Sequence, residues 1–577
     1  MSSTSAPSPT EPAIAEGRAS AAAVVPFARR PALGLAVLSG FLYFLAFPGI
    51  ELWPLGFVAL VPLIVALEGQ TPRRALLLGW VSGLTMTSFG FYWLLNMLET
   101  FSGFPAPVCA IFLLLLCGYQ GGRIGLLAWL SARGQLRGVP RNWVFVLGFV
   151  ASETVYPLVF PWSYAGVVHQ VPALLQTAEL GGPLAVALPL VLGNLGLAEL
   201  WLAHRARQAL PLRRVLPYLL VPLASALYGA LRIPFVDARS AAAPQGQVGL
   251  VQANMSLFAK RENVNEGLRR HLDLTHKLVS EGPLDLVVWS ETSVMAPVWE
   301  EDVDAAIPRV VGRHLHVPAL FGSVLARPID DARKHVLFNS ALLTSQAGKV
   351  VGRYDKHYRL PFGEFLPLGD WFPVFYEWSP NSGHFAEGTS LTPLRVGEHQ
   401  IAAFICYEDV IPGFVRSIVN SGETDLMANL TNDAWFGDTT EPWIHLALAQ
   451  LRAVEHRRFF VRSTNSGVSA VVDPVGRVIA HTEPFEQTAL RAPIAWLRGK
   501  TPYGVWGDAP WWLLSLASVA LAFLPKRAGK EGTLRGGIQS PSISAREPAE
   551  SSQPPETASE FRRKSHARLG GRRVENE

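Results

Sequence analysis

Acidic residues are distributed very unevenly along this chain. No Asp occurs before Asp237, and only six Glu residues lie between Pro31 and Phe235. Over the whole sequence, 17% of the residues are charged, which is below the roughly 25% of soluble globular proteins. A run of about 200 residues with so few acids is typical of a membrane-spanning region, where ionisable groups are costly. From Asp237 onward the composition becomes that of a soluble domain.

Apolar stretches recur through the acid-poor region and once after it. A bilayer-spanning helix needs about 20 mostly apolar residues. Eight candidates lie near residues 32–49, 53–69, 75–97, 106–130, 143–163, 182–203, 214–233 and 509–525. Buried core helices of a soluble domain are the alternative, but such helices seldom occur seven in succession with so little polar face. We therefore predict eight transmembrane helices.

Arg and Lys residues indicate the orientation of these helices, because short cytoplasmic loops carry an excess of them. They occur before the first helix, after the eighth, and in alternate loops, while the other short loops contain none. We therefore expect both termini in the cytoplasm and residues 237–506 outside it. The predicted parts are a disordered tail (1–30), a seven-helix domain (31–236), an outward-facing domain (237–506), the eighth helix (507–526) and a second disordered tail (527–577).

Two charged residues lie inside predicted membrane helices. Arg123 falls in the fourth and Glu153 in the fifth. Such groups usually face the interior of a helix bundle or a wet cavity. They form either a polar site for lipid headgroups or a structural pair with each other.

The outward-facing region alternates apolar runs with amphipathic stretches. Strands are predicted at residues 248–252, 284–289, 319–324, 342–354, 401–406, 426–430 and 469–480, and helices at 268–281, 412–420 and 442–457. This alternation favours a layered α/β domain.

Three residues with catalytic chemistry follow predicted strands. Glu291 is suited to act as a general base, Lys356 to stabilise an oxyanion, and Cys406 to act as a nucleophile whose thiolate a helix N-terminus and a lysine would favour. Taken singly, each residue also has an ordinary structural interpretation: a helix cap, an ion pair with Asp355, or an inert buried thiol. Cys109 and Cys117 lie in a predicted membrane helix, so Cys406 is the one thiol expected outside, and a leftover Cys there is a candidate reactive thiol.

These residues lie in longer motifs. They are Trp289-Ser290-Glu291-Thr292, Tyr354-Asp355-Lys356, Pro361-Phe362-Gly363-Glu364-Phe365-Leu366-Pro367, Cys406-Tyr407-Glu408, Asn432-Asp433-Ala434-Trp435-Phe436-Gly437-Asp438 and Arg462-Ser463-Thr464-Asn465-Ser466-Gly467. Together with the membrane helices on either side, they resemble the apolipoprotein N-acyltransferases, a bacterial family within the nitrilase (carbon–nitrogen hydrolase) superfamily. The resemblance implies an αββα sandwich with a Glu–Lys–Cys triad, facing the periplasm from the inner membrane.

The resemblance also implies an activity. Glu291 would deprotonate Cys406, the thiolate would take an acyl chain from a phospholipid such as phosphatidylethanolamine, and Lys356 would stabilise the oxyanion. The thioester would then pass the acyl chain to the α-amine of a lipoprotein's diacylglyceryl-cysteine. The partners expected are therefore phospholipid, diacylglyceryl-modified apolipoproteins and membrane lipid, with no nucleic acid.

The matched motifs also contain residues expected to support the site or bind substrate. They are Glu364, Tyr407, Glu408, Trp435 and Phe436; for the two aromatic residues, an acyl path, a mobile lid and plain core packing are all open. His445 and His456 are interpreted as structural or surface residues. No His, Cys and Asp spacing typical of a metal site appears, so neither a metal nor a cofactor is expected.

Two other functions are consistent with parts of the sequence. A membrane-tethered amidase of the nitrilase type would give the acyl group to water, and the triad alone does not distinguish it. A non-catalytic lipid or lipoprotein transporter or scaffold would not need Cys406.

Overall fold

A computed structural model describes residues 26–256, 263–329, 335–361, 363–366, 368–379 and 382–524. The predicted tail 527–577 lies outside the described residues, as do Phe362 and Pro367 of one motif. The predicted tail 1–30 also lies outside them except for residues 26–30, and there the first helix already begins at Arg29.

The first half of the chain is helical. Its α-helices are α1 (Arg29–Leu45), α2 (Val61–Ala66), α3 (Pro72–Gly90), α4 (Leu94–Ser102), α5 (Ala106–Gln135), α6 (Arg141–Val155), α7 (Pro172–Leu175), α8 (Ala178–Arg205) and α9 (Leu212–Ala242). Short 3-10 helices cover Trp53–Phe57 and Tyr164–Val168. Helix α9 continues past residue 236, so the change to a soluble composition begins within a helix.

Within the described residues, three helices are long and apolar enough to cross a membrane: α5, α8 and α9. Helices α3 and α4 pass the same test together but meet at a bend of 65°, which would make a fourth span. Leucines of α9 such as Leu223, Leu227 and Leu231 are exposed, as expected for side chains that contact lipid. The count of eight spans stays a prediction.

The two charged residues predicted to lie in membrane helices contact each other. Arg123 Nη1 lies 3.0 Å from Glu153 Oε1, and both side chains are buried. Arg123 also donates a hydrogen bond of 2.6 Å to the carbonyl oxygen of Trp162. The structural pair is therefore present, and it fixes α5 against the C-terminal end of α6.

The second half contains two β-sheets. The first has seven strands: β1 (Gln245–Gln252), β2 (Leu286–Trp289), β3 (Val294–Trp299), β4 (Ala319–Pro328), β5 (His335–Thr344), β6 (Val350–Asp355) and β13 (Thr488–Ala495). Its order is β13-β1-β2-β4-β5-β6, with β3 also paired to β4. Strands β1, β2 and β4 are parallel, and most of their residues are buried, as expected for strands covered on both faces.

The second sheet has six strands: β7 (Leu394–Val396), β8 (His399–Ile405), β9 (Leu426–Thr431), β10 (Phe460–Thr464), β11 (Ala470–Val472) and β12 (Val478–His481). Its order is β12-β11-β10-β9-β8-β7, and its central strands β8, β9 and β10 are parallel. Each sheet therefore has a parallel centre and antiparallel edges.

The sheets lie face to face with helices on the outside. The remaining α-helices are α10 (Val264–Ser280), α11 (Val303–Val310), α12 (Val374–Trp378), α13 (Pro412–Asn420), α14 (Glu441–His456), α15 (Pro502–Trp506) and α16 (Ala509–Phe523), and 3-10 helices cover Glu300–Asp302, Gly312–His314, Cys406–Val410 and Asp433–Trp435. One apolar core joins both sheets with α13 and α14, and another lies between the first sheet and α10 and α11. The predicted αββα layering is confirmed.

Two predicted strands are wrong. Residues 342–354 form the end of β5, a turn and β6, and residues 469–480 form β11, a turn and β12. Each turn contains a glycine with positive φ, Gly348 at 75° and Gly476 at 83°, a conformation that glycine adopts without steric cost. Apolar residues flank each turn on both sides, so the sequence showed one continuous apolar run where the chain reverses direction.

A buried ion-pair network connects the sandwich to the membrane helices. Glu179 of α8 accepts from Arg457 Nε at 2.9 Å and from Arg232 Nε of α9 at 2.7 Å. Because Arg457 directly follows α14, this network fixes the end of α14 against the helical region.

Candidate active site

Cys406 is the first residue after strand β8 and begins a 3-10 helix, Cys406–Val410. Its φ of 56° places it in the left-handed region, which non-glycine residues seldom adopt outside strained or functional positions. The turn directly follows β8, which is paired in parallel with β9. The Cys406 side chain is 2% exposed. The sequence predicted a thiol at the end of a buried strand, and that placement is confirmed.

Glu291 follows strand β2 by two residues, in a turn that packs closely on β4. Gly322 of β4 donates through its N–H to the carbonyl oxygen of Ser290 at 3.3 Å. A Cβ at Gly322 would lie 2.3 Å from the Thr292 nitrogen, so only glycine permits this approach. The Glu291 N–H reaches the second sheet, where it donates to the carbonyl oxygen of Thr431 at 3.4 Å.

Lys356 follows strand β6 and lies between two carboxylates. Its Nζ is 3.1 Å from Glu291 Oε1 and 2.7 Å from Glu364 Oε2. Asn339 of β5 joins the same carboxylates from the other side, with its Nδ2 2.6 Å from Glu291 Oε1 and 2.7 Å from Glu364 Oε1. All four side chains are buried.

Burial and charge set the protonation of this group. Burial raises the pKa of Glu291, and the nearby Glu364 adds to the rise while Lys356 opposes it. Burial acts to lower the pKa of Lys356, but the Glu291 and Glu364 carboxylates outweigh it and raise that pKa. Lys356 is therefore a lasting positive charge, and Glu291 is a stronger base than an exposed carboxylate.

Lys356 favours the thiolate of Cys406, as expected, but other effects outweigh it. Burial and the Glu291 carboxylate raise the pKa of Cys406, and the opposing effect of Lys356 is smaller. The resting sulfur is therefore a thiol, and it needs a base to become a nucleophile.

The three predicted catalytic residues line one pocket of about 90 Å³. Glu364 and Trp435 line it too, so the structure brings five of the eight predicted site residues together. Tyr407 and Phe436 line a neighbouring apolar cavity. Glu408 lines neither pocket and is fully buried behind the Cys406 turn.

Glu408 links the turns that carry Cys406 and Lys356. Its Oε1 accepts from the backbone nitrogens of His357 and Tyr358 at 2.7 and 3.0 Å. Its Oε2 accepts from the Ile405 nitrogen at 2.8 Å and from the Tyr354 hydroxyl at 2.7 Å. These four bonds give Glu408 a positioning role.

Phe436 contacts the helical region. Its ring packs edge-on against Trp93, next to α4, with ring centroids 5.0 Å apart. This packing brings the loop after β9 to the surface of the helical region, directly beside the pocket that Trp435 lines.

A second charged cluster lies under the Cys406 turn, and sequence reasoning missed it. His445 Nε2 is 2.9 Å from Asp409 Oδ1, and its Nδ1 is 3.2 Å from Asp433 Oδ1. Arg462 pairs with the same aspartates at 2.7 and 3.0 Å. His445 and His456 are both buried, so neither is a surface residue. Glu441 and His445 are four residues apart on α14, and this spacing could have indicated the cluster from the sequence. No sequence pattern indicated the role of Asn339 in the pocket.

Part of this cluster has the spacing of a metal site. Asp433, Glu441 and His445 place one ligand atom each within 4.8 Å of one another. Both His445 nitrogens and both Asp433 oxygens already have protein partners, and Arg462 adds positive charge. These contacts fit an ion-pair network and not a metal centre.

Comparison with known proteins agrees with this arrangement. Residues 39–196 match the sequence profile of the apolipoprotein N-acyltransferase N-terminal domain, and residues 247–496 match that of carbon–nitrogen hydrolases. A protein of Geobacter metallireducens named apolipoprotein N-acyltransferase is 30% identical over 507 residues, which cover 85% of this chain and 95% of that protein. A protein of Pseudomonas putida with the same name is 31% identical over 512 residues, covering 86% and 97%.

The similarity therefore extends through both the helical region and the sandwich, and it confirms the resemblance found in the motifs. The chain belongs to the apolipoprotein N-acyltransferase family.

Proposed function

We propose that this protein transfers an acyl chain from a membrane phospholipid to the N-terminal amine of lipoproteins, through a thioester on Cys406. Two relatives that bear the name apolipoprotein N-acyltransferase match over most of their length. The observation that carries the mechanism is that Cys406, Glu291 and Lys356 line one buried pocket.

In the first half-reaction Glu291 takes the proton from the Cys406 thiol while the sulfur attacks an ester carbonyl of the phospholipid. The raised pKa of Glu291 suits it to this task, because it must accept a proton at neutral pH. The Lys356 ammonium stabilises the oxyanion of the tetrahedral intermediate. Collapse breaks the ester bond, the lysophospholipid oxygen receives the proton from Glu291, and the acyl chain remains on sulfur.

In the second half-reaction the α-amine of a diacylglyceryl-cysteine attacks the thioester carbonyl. Glu291 accepts a proton from the amine and returns one to the Cys406 sulfur as the C–S bond breaks. An amide forms, and the enzyme regains its thiol. A thioester suits this order of events because an amine cleaves it readily.

A lipid donor is supported by the apolar surroundings of the pocket. A cavity of about 420 Å³ lies between α4, α5 and the segment that follows Glu364, and its lining is almost entirely apolar. We propose phosphatidylethanolamine, through its sn-1 chain, as the donor, and diacylglyceryl-modified apolipoproteins as the acceptors.

The proposed location is the bacterial inner membrane, with the sandwich in the periplasm. We propose eight membrane segments, seven within 31–236 and one within 507–526, which would include the short or bent apolar helices as well as the three long ones. The alternation of Arg and Lys among the short loops supports cytoplasmic termini.

Labelled phospholipid tests this proposal. The purified protein, given a phospholipid with a labelled acyl chain, should acquire a label that hydroxylamine and a diacylglyceryl-cysteine peptide remove much faster than water does. Cys406→Ser should lose this thioester label, while Cys117→Ser, which alters a buried thiol in α5, should keep it. Rapid discharge to water with no amide product would instead identify an amidase, and full activity of Cys406→Ser would identify a non-catalytic role for Cys406.

A further inference from the structure

A second cavity, of about 310 Å³, lies where the sandwich meets the helical region. It is formed around Val410, the last residue of the 3-10 helix that Cys406 begins, by parts of α6, α8, α14 and α16. It has no lining residue in common with the pocket that contains Cys406. This cavity is therefore distinct from the Cys406 pocket, and it shares Pro161, Val410 and Leu448 with the neighbouring apolar cavity that Tyr407 and Phe436 line.

Arg452 of α14 lines the cavity with unused hydrogen-bond donors. Its side chain is 2% exposed, and its Nη2 lies 2.7 Å from Glu455 Oε1. Among the residues that the structure describes, its Nε and Nη1 have no acceptor. Buried donors without acceptors are unfavourable. A ligand in the cavity that supplies acceptors to this guanidinium would therefore be stabilised.

Among the described residues, Glu455 is the one acidic group within ion-pair distance of Arg452. Burial raises the pKa of Glu455 to about 8, and the charge of Arg452 opposes that rise. Its two donors without acceptors, Nε and Nη1 of Arg452, lie on different sides of the guanidinium, so each can donate to one oxygen of an anion such as a phosphate. The chemistry on this wall of the cavity is therefore that of a phosphate site.

Carboxylates line the same cavity. They belong to Glu153, which also holds Arg123 at 3.0 Å, and to Asp508, which precedes α16. A site that presents a guanidinium with two unused donors beside carboxylates fits a ligand that carries both signs of charge. A volume of about 310 Å³ is at the lower end of small-molecule sites, which span about 300–1,000 Å³, and suits a headgroup better than a whole lipid.

The rim of the cavity is suited to a membrane surface. Trp512 of α16 lines it and is half exposed, and tryptophan is enriched where membranes meet water. Glu153 lies near the C-terminal end of α6 and Asp508 at the N-terminal end of α16, so both stand at helix ends. A ligand in the cavity is therefore at headgroup level if these helices span the membrane.

We propose that this cavity binds the headgroup of a membrane phospholipid that carries both a phosphate and an ammonium group. Arg452 holds the phosphate, and the Glu153 and Asp508 carboxylates hold the ammonium. This proposal rests on the proposed function in one respect: it takes α6 and α16 to lie in a membrane.

Binding of a lipid that cannot donate an acyl chain tests this site. Ether-linked phosphatidylethanolamine has no ester to transfer, so its binding to the purified full-length protein, followed by native mass spectrometry, is independent of catalysis. We expect Arg452→Gln to weaken binding at least tenfold. Thr154→Trp, which fills the cavity from α6 and leaves Arg452 in place, should weaken it as strongly. Arg498→Gln, at an exposed arginine paired with Asp425, should bind as the unaltered protein does.

Unchanged binding by both cavity variants would overturn the proposal. If Arg452→Gln fails to fold, as judged by its thermal unfolding, Thr154→Trp decides alone. Displacement of the ether lipid by inorganic phosphate as readily as by glycerophosphoethanolamine would identify a simple anion site and overturn the lipid assignment. Acylation of Cys406 by an ester lipid is measured separately, so its failure beside intact ether-lipid binding would count against the proposed function alone.

Discussion

The side-chain amide of Asn429 donates a hydrogen bond of 2.8 Å to the backbone carbonyl of Cys406. Asn429 lies on β9, directly beside the strand that ends at the nucleophile, and it is fully buried. Cys406 has a left-handed backbone just beyond the end of β8, and a buried carbonyl there needs a hydrogen-bond partner. Asn429 supplies that partner and so helps to hold the sulfur in the pocket.

Asn429→Ala should therefore slow the acylation of Cys406. Removing the donor leaves a buried carbonyl unpaired, at a cost of about 1–3 kcal/mol in the free energy of unfolding. We expect acyl-enzyme formation to slow at least tenfold in a rapid-quench assay. Asn420→Ala is the matched control, because Asn420 donates to the Gly504 carbonyl, in α15 outside the pocket. Equal rates for the two variants would argue against a positioning role for Asn429.

Lys356→Met should lower the rate of acyl transfer in the fraction of the protein that folds. The ammonium separates the Glu291 and Glu364 carboxylates, and one donor to an oxyanion contributes about 10²–10³ in kcat. Measured turnover should fall by at least that factor. Lys349→Met, at an exposed lysine in the turn between β5 and β6, should leave turnover unchanged. A Lys356→Met variant with normal kcat would contradict the oxyanion role.

The His445 cluster predicts a pH dependence of stability. Burial and Arg462 act to lower the pKa of His445, but Asp409 and the hydrogen bond to Asp433 outweigh them and raise it to about 9. A histidine with a raised folded-state pKa stabilises the protein fully below its unfolded pKa of about 6.5, and this contribution is lost as the pH rises through 9. It amounts to roughly 3 kcal/mol.

Thermal unfolding at several pH values measures this effect. The unaltered protein should lose apparent Tm steeply between pH 7 and pH 10. His445→Gln should start from a lower Tm at pH 7 and show a shallower decline. Parallel curves for the two proteins would show that His445 does not carry the charge assigned to it.

The orientation of the sandwich has its own test. A Cys at position 398 should react with a membrane-impermeant thiol reagent in intact spheroplasts, and one at position 208 should not. Both positions are exposed in the structure, and Cys406 is replaced in the background protein. Reversed labelling would place the sandwich in the cytoplasm.

Strongly apolar strands and their end residues were predictable from the sequence. Helix α13 begins at Pro412 and ends at Asn420 as predicted, and Cys406 directly follows its strand. These elements follow from local composition, because buried parallel strands are continuous apolar runs.

Other features depend on contacts that no local pattern contains. Asn339 joins two carboxylates that lie 48 and 25 residues away in sequence. The high pKa of the Cys406 thiol arises from its burial by the completed fold, whereas the sequence indicated only a lysine and a helix nearby. Both are consequences of tertiary packing.

The central claim is that Cys406 carries the acyl chain. The most direct measurement is peptide mass spectrometry of the protein after brief incubation with phospholipid and no acceptor. We predict a peptide containing Cys406 whose mass is increased by one fatty acyl group, and whose modification disappears when a diacylglyceryl-cysteine peptide is added. An acyl group found on another residue, or none on Cys406 while lipoprotein is still acylated, would contradict this account.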